Sequence, residues 1–331
     1  SDGRRKPDLM APGTMVSASG NTNNDNPPAN PNQAITKTLS GTSMATPAVA
    51  GGAALIRQYF TDGFYPTGVK TAANARKPLG AEMKAVATNG TAVIGTGINN
   101  SYGWGRLWLD NNLYFPGDAR DLRTFARAHD TGLATGEQHE YQVTVGAGQE
   151  FRATLAWYDP PGTIGAAGTA LVNNLDLEVV DGGGTVYRGN VLTGTGTNVV
   201  STTGGTADAL NPLEQVRFLA PAAGTYTIRV KGTAVPGDGQ EGSNRQGYGL
   251  AVATAQCPSA VSAAPGALAA SNVGGGVSVA ATAAAGATGY QLYRAAGTCA
   301  SANPADFQLV AAGASLPVLD ARTQGGYSYA Y

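Results

Sequence analysis

The chain is poor in charge. Asp, Glu, Lys and Arg make up 13% of its 331 residues, about half the usual share. The formal net charge is −1 and no long basic stripe is present, which leaves nucleic-acid binding without an electrostatic footing. The short run Arg4-Arg5-Lys6 reads as a solvated loop. No apolar run approaches the ~20 residues that a membrane-spanning helix needs. Only two cysteines occur, Cys257 and Cys299, each alone, which excludes zinc-ligand spacing. If the protein is exported, a Cys257–Cys299 disulfide is expected; two unpaired thiols, or pairing with cysteines beyond Tyr331, are the alternatives. Histidine is as scarce, with His129 and His139 alone. No signal-peptide pattern follows Ser1. The first residue is not Met, and both ends read as cut, so the expectation is a fragment of a longer protein.

Other residues are abundant. There are 47 glycines, and 42% of the residues are hydrophobic. A turn-rich, uncharged polar composition suits β-rich extracellular domains, and the length allows two or three of them. The texture changes along the chain. Residues 1–114 hold a short strand at Lys37–Leu39, a helix over Ala48–Phe60 and a second over Ala81–Thr88. The first helix is crowded with small residues, which suits a buried position. Its glycines cost about 1 kcal/mol each and need a packing reason, and Pro47 fits a first turn.

Residues 115–255 read as all β. Strands are expected at Glu140–Val145, Phe151–Tyr158, Leu175–Val180, Thr185–Arg188, Gln215–Leu219, Tyr226–Lys231 and Tyr248–Thr254, several of them alternating apolar and polar residues. This pattern suggests a sandwich or jelly roll, with 192–206 as a long surface loop. Residues 256–268 read as a Pro/Ala/Ser-rich linker. Further strands follow within 269–331, at Gly276–Ala281, Tyr290–Arg294, Phe307–Ala311 and Ser328–Tyr331, as in a partial second sandwich.

The stretch GTSMATPAVAGG, Gly41–Gly52, carries the chemistry. Gly41 permits a tight turn, and Ser43 then sits at a helix N-terminus. Unpaired N–H groups and the helix dipole there favour an oxyanion. An ordinary Ser or Thr N-cap would give the same local pattern.

GTSMATPAVAG resembles the serine motif of the subtilisin-like serine proteases, with Ser43 on the nucleophile. KPDLMAPG at 6–13 resembles the segment that precedes that motif. YGWGRLWLD at 102–110 resembles an element near the end of the catalytic domain, and the helix 81–88 falls where the family has its next core helix. The resemblance covers residues 1–114. It implies an α/β subtilisin-like domain, an acyl-enzyme mechanism on Ser43, and an oxyanion site formed by the Ser43 N–H with Thr42 as neighbour. It also implies a His general base and an orienting Asp, both upstream of the serine. None of the residues before Ser43 is His. Asp2, Asp8 and Asp25 match no aspartate motif, and the asparagines of NTNNDNPPANPNQ match no oxyanion motif. His129 and His139 follow the serine and read as surface histidines.

LAWYDPPG, LVNNLDLEV, LNPLEQV and AAGTYTIRVKG resemble the C-terminal β-domain of alkaline bacterial subtilases. That resemblance implies structural calcium, for which Asp159, Asn173, Asn174 and Asp176 offer hard oxygen ligands. Turn and strand-end capping is the competing role, and Asn174 stands where the pattern has Asp. The final segment, with YQLYR and YSYAY, resembles a fibronectin type III-like module. The expected function is therefore that of a secreted serine endopeptidase acting on proteins or peptides. This chain alone is expected to be inactive, and its C-terminal β-modules are expected to hold a surface or polymer. The rival expectation is a secreted binding or adhesion protein on a degenerate protease fold.

Overall fold

The computed structural model describes residues 3–19, 35–118, 120–146, 150–162, 168–237, 244–255, 266–274, 276–283, 290–296, 298, 308–313, 316–321 and 328–331. Cys257 and Cys299 lie outside the described residues, as does most of the expected linker. No described helix is long and apolar enough to cross a membrane.

An antiparallel pair opens the chain, β1 (Thr14–Ser19) with β2 (Ile35–Ser40). The 20-residue helix α1 (Thr42–Thr61) follows, then α2 (Gly80–Asn89) and the short α3 (Leu109–Asn112). Helix α1 begins at Thr42 rather than Ala48, so Pro47 lies inside it. A proline there has no N–H for the Ser43 carbonyl four residues back. The small-residue face of α1 is not buried. Gly52, Ile56, Tyr59 and Phe60 are covered, whereas Ala50, Gly51 and Ala54 are exposed and Leu55 is 51% exposed.

Two four-stranded antiparallel sheets come next. One has the order β10–β5–β12–β3 (Leu213–Phe218, Phe151–Ala156, Tyr248–Ala255, Arg120–Arg127). The other has the order β4–β11–β6–β7 (Gln138–Val145, Gly224–Ala234, Asn174–Val180, Val186–Arg188). Strand β4 alternates strictly between exposed and buried residues, as a sheet with one wet face requires. Phe151, Trp157, Leu177, Ile228 and Leu250 fill the core shared by both sheets. Strand β3, which the sequence pattern missed, completes the first sheet. The expected loop 192–206 holds a small ladder, β8 (Leu192–Thr193) with β9 (Val200–Ser201).

All six residues of β5 are buried, because α2 covers the sheet's outer face. Phe151, Ala153 and Leu155 join the core between the sheets. On the other side, Arg152 donates to the Asn89 carbonyl (3.1 Å) and Thr154 to the Asn89 side chain (2.8 Å). Ala156, Leu213, Ala251 and Leu122 share a second core with Ile56, Phe60, Ala85, Val86 and Trp104. The helical segment and the two-sheet unit therefore share one apolar interior. Separating them would expose apolar surface on both.

Gly249 on β12 sets how closely α2 approaches. A Cβ there would lie 2.3 Å from the Glu82 backbone. We expect Gly249→Ala to cost about 1–3 kcal/mol by pushing α2 off the sheet, read as a lower urea midpoint. Gly51→Ala is the control, with nothing within 4 Å of its added Cβ, and should be neutral or mildly stabilising.

The last described part has two three-stranded sheets. One is β13–β14–β17 (Gly266–Val273, Gly276–Thr282, Val318–Asp320). The other is β16–β15–β18 (Gln308–Gly313, Tyr290–Ala296, Tyr329–Ala330). Val277, Val279, Leu292 and Val318 form their core.

Candidate functional site

Three segments distant in sequence meet around the start of α1. Gly41 takes φ 154° as the N-cap, a conformation that disfavours a side chain. Its N–H donates to the Gly13 carbonyl at 2.7 Å, which joins GTSMATP to the end of KPDLMAPG. The same upstream segment is laced to YGWGRLWLD. The Met10 N–H donates to Gly105 O (2.9 Å), the Leu107 N–H to Met10 O (2.9 Å) and the Trp104 N–H to Asp8 O (3.1 Å). Gly103, at φ 58°, has no room for a Cβ, which would lie 2.2 Å from Pro7 O. Gly52 lets α1 approach Leu107, whose Cδ2 would be 2.3 Å from an added Cβ. That is the packing reason for a glycine inside the helix. Trp104 is fully buried, and the Arg5 guanidinium lies over its ring at 4.9 Å. Asp8 pairs with Lys6 (2.9 Å) and Lys84 (3.4 Å), a structural role.

Ser43 is the second residue of α1, not its cap, and it is exposed. The Met44 and Ala45 N–H groups close back onto Gly41 O at 3.0 and 3.4 Å. The Thr42 and Ser43 N–H groups have no acceptor among the described residues. They are the orphan donors of a helix start, where the dipole favours developing negative charge. The Ser43 hydroxyl likewise has no hydrogen-bond partner among the described residues. The site offers an accessible hydroxyl and two free donors, and no base among the described residues contacts it.

Neither histidine supplies that base. His139 is buried on β4 and not at the surface as its sequence context suggested. Its Nδ1 is 2.7 Å from the Tyr248 hydroxyl, which also meets the Tyr141 hydroxyl at 2.5 Å. Burial holds the Tyr248 phenol well above its ordinary range. His129 is half-buried, with Nδ1 near Arg245 O (3.3 Å) and the Gly247 N–H (3.4 Å).

The four oxygen-bearing residues singled out for calcium fall into two hydrogen-bonded pairs. Asp159 accepts the Val172 and Asn173 N–H groups at 2.8 and 2.7 Å. The Asn173 amide donates to Gln246 Oε1 (2.8 Å) and accepts from the Gly237 N–H (3.2 Å). Asp176 accepts from Thr233 and, at 3.5 Å, from Asn174. Burial raises both carboxyl pKa values. The Asn174 Oδ1 has no partner among the described residues.

Sequence reasoning missed a cluster of three guanidiniums on one carboxylate. Glu150 pairs with Arg120 and Arg152 at 2.6 Å each and with Arg217 at 3.2 Å. Burial, reinforced by neighbouring Arg152, lowers the Arg217 pKa to about 10. The available signal was Arg152 within the otherwise apolar run FRATLAW.

Comparison with known proteins fits the geometry at Ser43. The family model Peptidase_S8, described as the subtilase family, matches residues 1–105. The Dictyostelium discoideum serine protease/ABC transporter B family protein tagA is 30% identical over 250 residues, covering 71% of this chain and 14% of that protein. Its relative tagD is 31% identical over 228 residues, covering 54% of this chain and 12% of that protein. The chain thus spans about one-seventh or less of the length of these relatives. A solved structure, the periplasmic lysozyme inhibitor PliG of Aeromonas hydrophila, aligns at 15% identity over 43% of this chain and 91% of that one. Its TM-score is 0.22, too low to assign a fold. With the serine motif, KPDLMAPG and YGWGRLWLD assembled as one unit, residues 1–105 of this chain are a segment of the subtilase family.

Proposed function

We propose that this chain carries the nucleophile-bearing part of a subtilisin-like serine endopeptidase, with Ser43 as the nucleophile. The observation that carries this reading is the exposed Ser43 hydroxyl beside the unpaired Thr42 and Ser43 N–H groups, within a subtilase segment. In the reaction, Ser43 Oγ bonds to the scissile carbonyl carbon as its proton passes to a base. The carbonyl oxygen becomes the oxyanion that those N–H groups face. The C–N bond then breaks, the proton goes to the leaving amine, and water releases the acyl group. The base and the carboxylate that orients it are supplied from outside this chain. The protein is exported, and its β-modules, a sandwich or jelly roll and a fibronectin type III-like unit, hold it on a surface or polymer near protein substrates.

The 331-residue chain is therefore expected to react with a fluorophosphonate probe only slowly. The longer protein labels within minutes and loses labelling on Ser43→Ala. Fast, Ser43-dependent labelling of the short chain would show that a base is already present. A longer protein that never labels would favour the adhesion reading on a degenerate protease fold.

A further inference from the structure

The two-sheet unit also reaches the serine turn through a buried polar loop, residues 208–211, between β9 and β10. Asn211 is 6% exposed. Its Oδ1 accepts the Arg5 N–H at 2.6 Å, across 206 positions of chain. Its amide nitrogen donates to Asp208 Oδ2 at 2.7 Å, and that bond leaves the oxygen aimed at Arg5. Asp208 also accepts the Leu210 N–H (2.8 Å), the Asn211 N–H (3.2 Å) and the Asn190 amide (2.6 Å). Asn190, at φ 60°, fastens this loop to β10. It donates to Leu213 O (2.8 Å) and accepts the Gln215 N–H (3.0 Å).

Arg5 is gripped at its side chain as well. Its guanidinium lies over the buried Trp104 ring. Burial lowers its pKa, and the Asp208 charge acts against that. From Arg5 the segment runs past Asp8 and Met10, which are bonded to Trp104, Gly105 and Leu107. It ends at Gly13, whose carbonyl takes the Gly41 N–H at 2.7 Å. The chain from Arg5 to Gly13 is thus a strap. The two-sheet unit holds one end, and the other end holds the turn that sets the Thr42 and Ser43 N–H groups.

We infer that Asn211 is a positioning residue for Ser43, acting through this strap. The role rests on Ser43 being the nucleophile. Without the Asn211 oxygen, the buried Arg5 N–H loses its acceptor and the strap shifts along YGWGRLWLD to find another. The Gly13 carbonyl then loosens its hold on the Gly41 N–H. The helix start no longer keeps its two donors where the oxyanion forms. A misplacement of about 1 Å at such groups can cost about 100-fold in rate. Asn211 touches neither the hydroxyl nor the donors, so the effect falls on kcat rather than on KM.

Two measurements test this. In the 331-residue chain, Asn211→Ala should speed hydrogen exchange of the Gly41 amide about tenfold. In the longer protein, the same variant should lower kcat for peptide hydrolysis about tenfold, with KM within about twofold. Ile228→Val is the control. It lies between the sheets, costs stability without touching Arg5, and should leave both readouts at parent values well below the unfolding midpoint. Asp208→Asn, which loosens the Asn211 amide without removing it, should move both readouts the same way by less. It decides the matter if Asn211→Ala does not fold. Gly41 exchange at the parent rate overturns the strap. An unchanged kcat in an active longer protein overturns the positioning role and leaves the Ser43 reading intact. An equal loss of kcat in Ile228→Val also overturns it, by reducing Asn211 to a stabilising contact. A longer protein that never hydrolyses peptide removes the Ser43 reading and the positioning role with it, while Gly41 exchange still decides whether the strap exists.

Discussion

Ser43→Ala in the longer protein should reduce kcat for peptide hydrolysis by about a million-fold, a magnitude known from subtilisin itself. The reason is local. Alanine at the second position of α1 keeps the helix start, the Gly41 turn and its bond to Gly13 O. It removes only the hydroxyl. Peptide binding and unfolding midpoint should therefore be unchanged, since Ser43 is exposed and its hydroxyl holds nothing. A fall in stability alongside activity would assign the serine a structural role. Residual hydrolysis within a hundredfold of the parent would place the nucleophile elsewhere. Gly41→Ala offers a contrast. It adds a side chain at φ 154° and should disturb the helix start while leaving the hydroxyl present.

Glu150→Gln should destabilise the chain by about 3–5 kcal/mol, because it leaves buried cations without their counter-charge. Glu150 is the carboxylate shared by Arg120, Arg152 and Arg217. The side chains of Arg152 and Arg217 are 7% and 3% exposed. Arg152 also holds the end of α2 through the Asn89 and Thr91 carbonyls, at 3.1 and 3.2 Å. The loss should therefore appear as earlier unfolding of both the helical segment and the first sheet in urea, with α2 amides exchanging faster. The pH dependence has a definite sign. Burial places the folded Arg217 pKa near 10, below that of a free guanidinium, so the unfolded chain binds more protons above that pH. Stability then rises with pH in that range, and the deficit of the variant should shrink as pH passes about 10. A midpoint shift under 1 kcal/mol, or a deficit that grows at high pH, would contradict the role given to Glu150.

Some of this was legible from local pattern. Alternation in Glu140–Val145 and Tyr226–Lys231 marked strands β4 and β11, because period-two patterning needs nothing beyond one buried face. GTSMATP showed a serine at a helix start for an equally local reason, a glycine turn before a helix-forming run. The actual start at Thr42 was obscured by Pro47, which reads as a first-turn residue and in fact lies inside the helix. Strand β3, RDLRTFAR, was missed because charge occupies both half-buried and buried positions, Arg127 among the latter, and its pairing with β12 is set by distant residues.

The sequence by itself determined which stretches could be strands, that Ser43 stood at a helix N-terminus, and that no histidine preceded it. Tertiary structure alone decided that α2 lies on β5 and β12 through Gly249, and that three arginines close on Glu150. It also decided that His139 is buried against the Tyr248 hydroxyl. The difference is physical. Periodicity and capping act over a few residues and leave a local trace. Burial, charge pairing and close backbone approach bring together residues far apart in the chain, 67 positions for Glu150 with Arg217 and 109 for His139 with Tyr248, and those contacts exist only once the chain has folded.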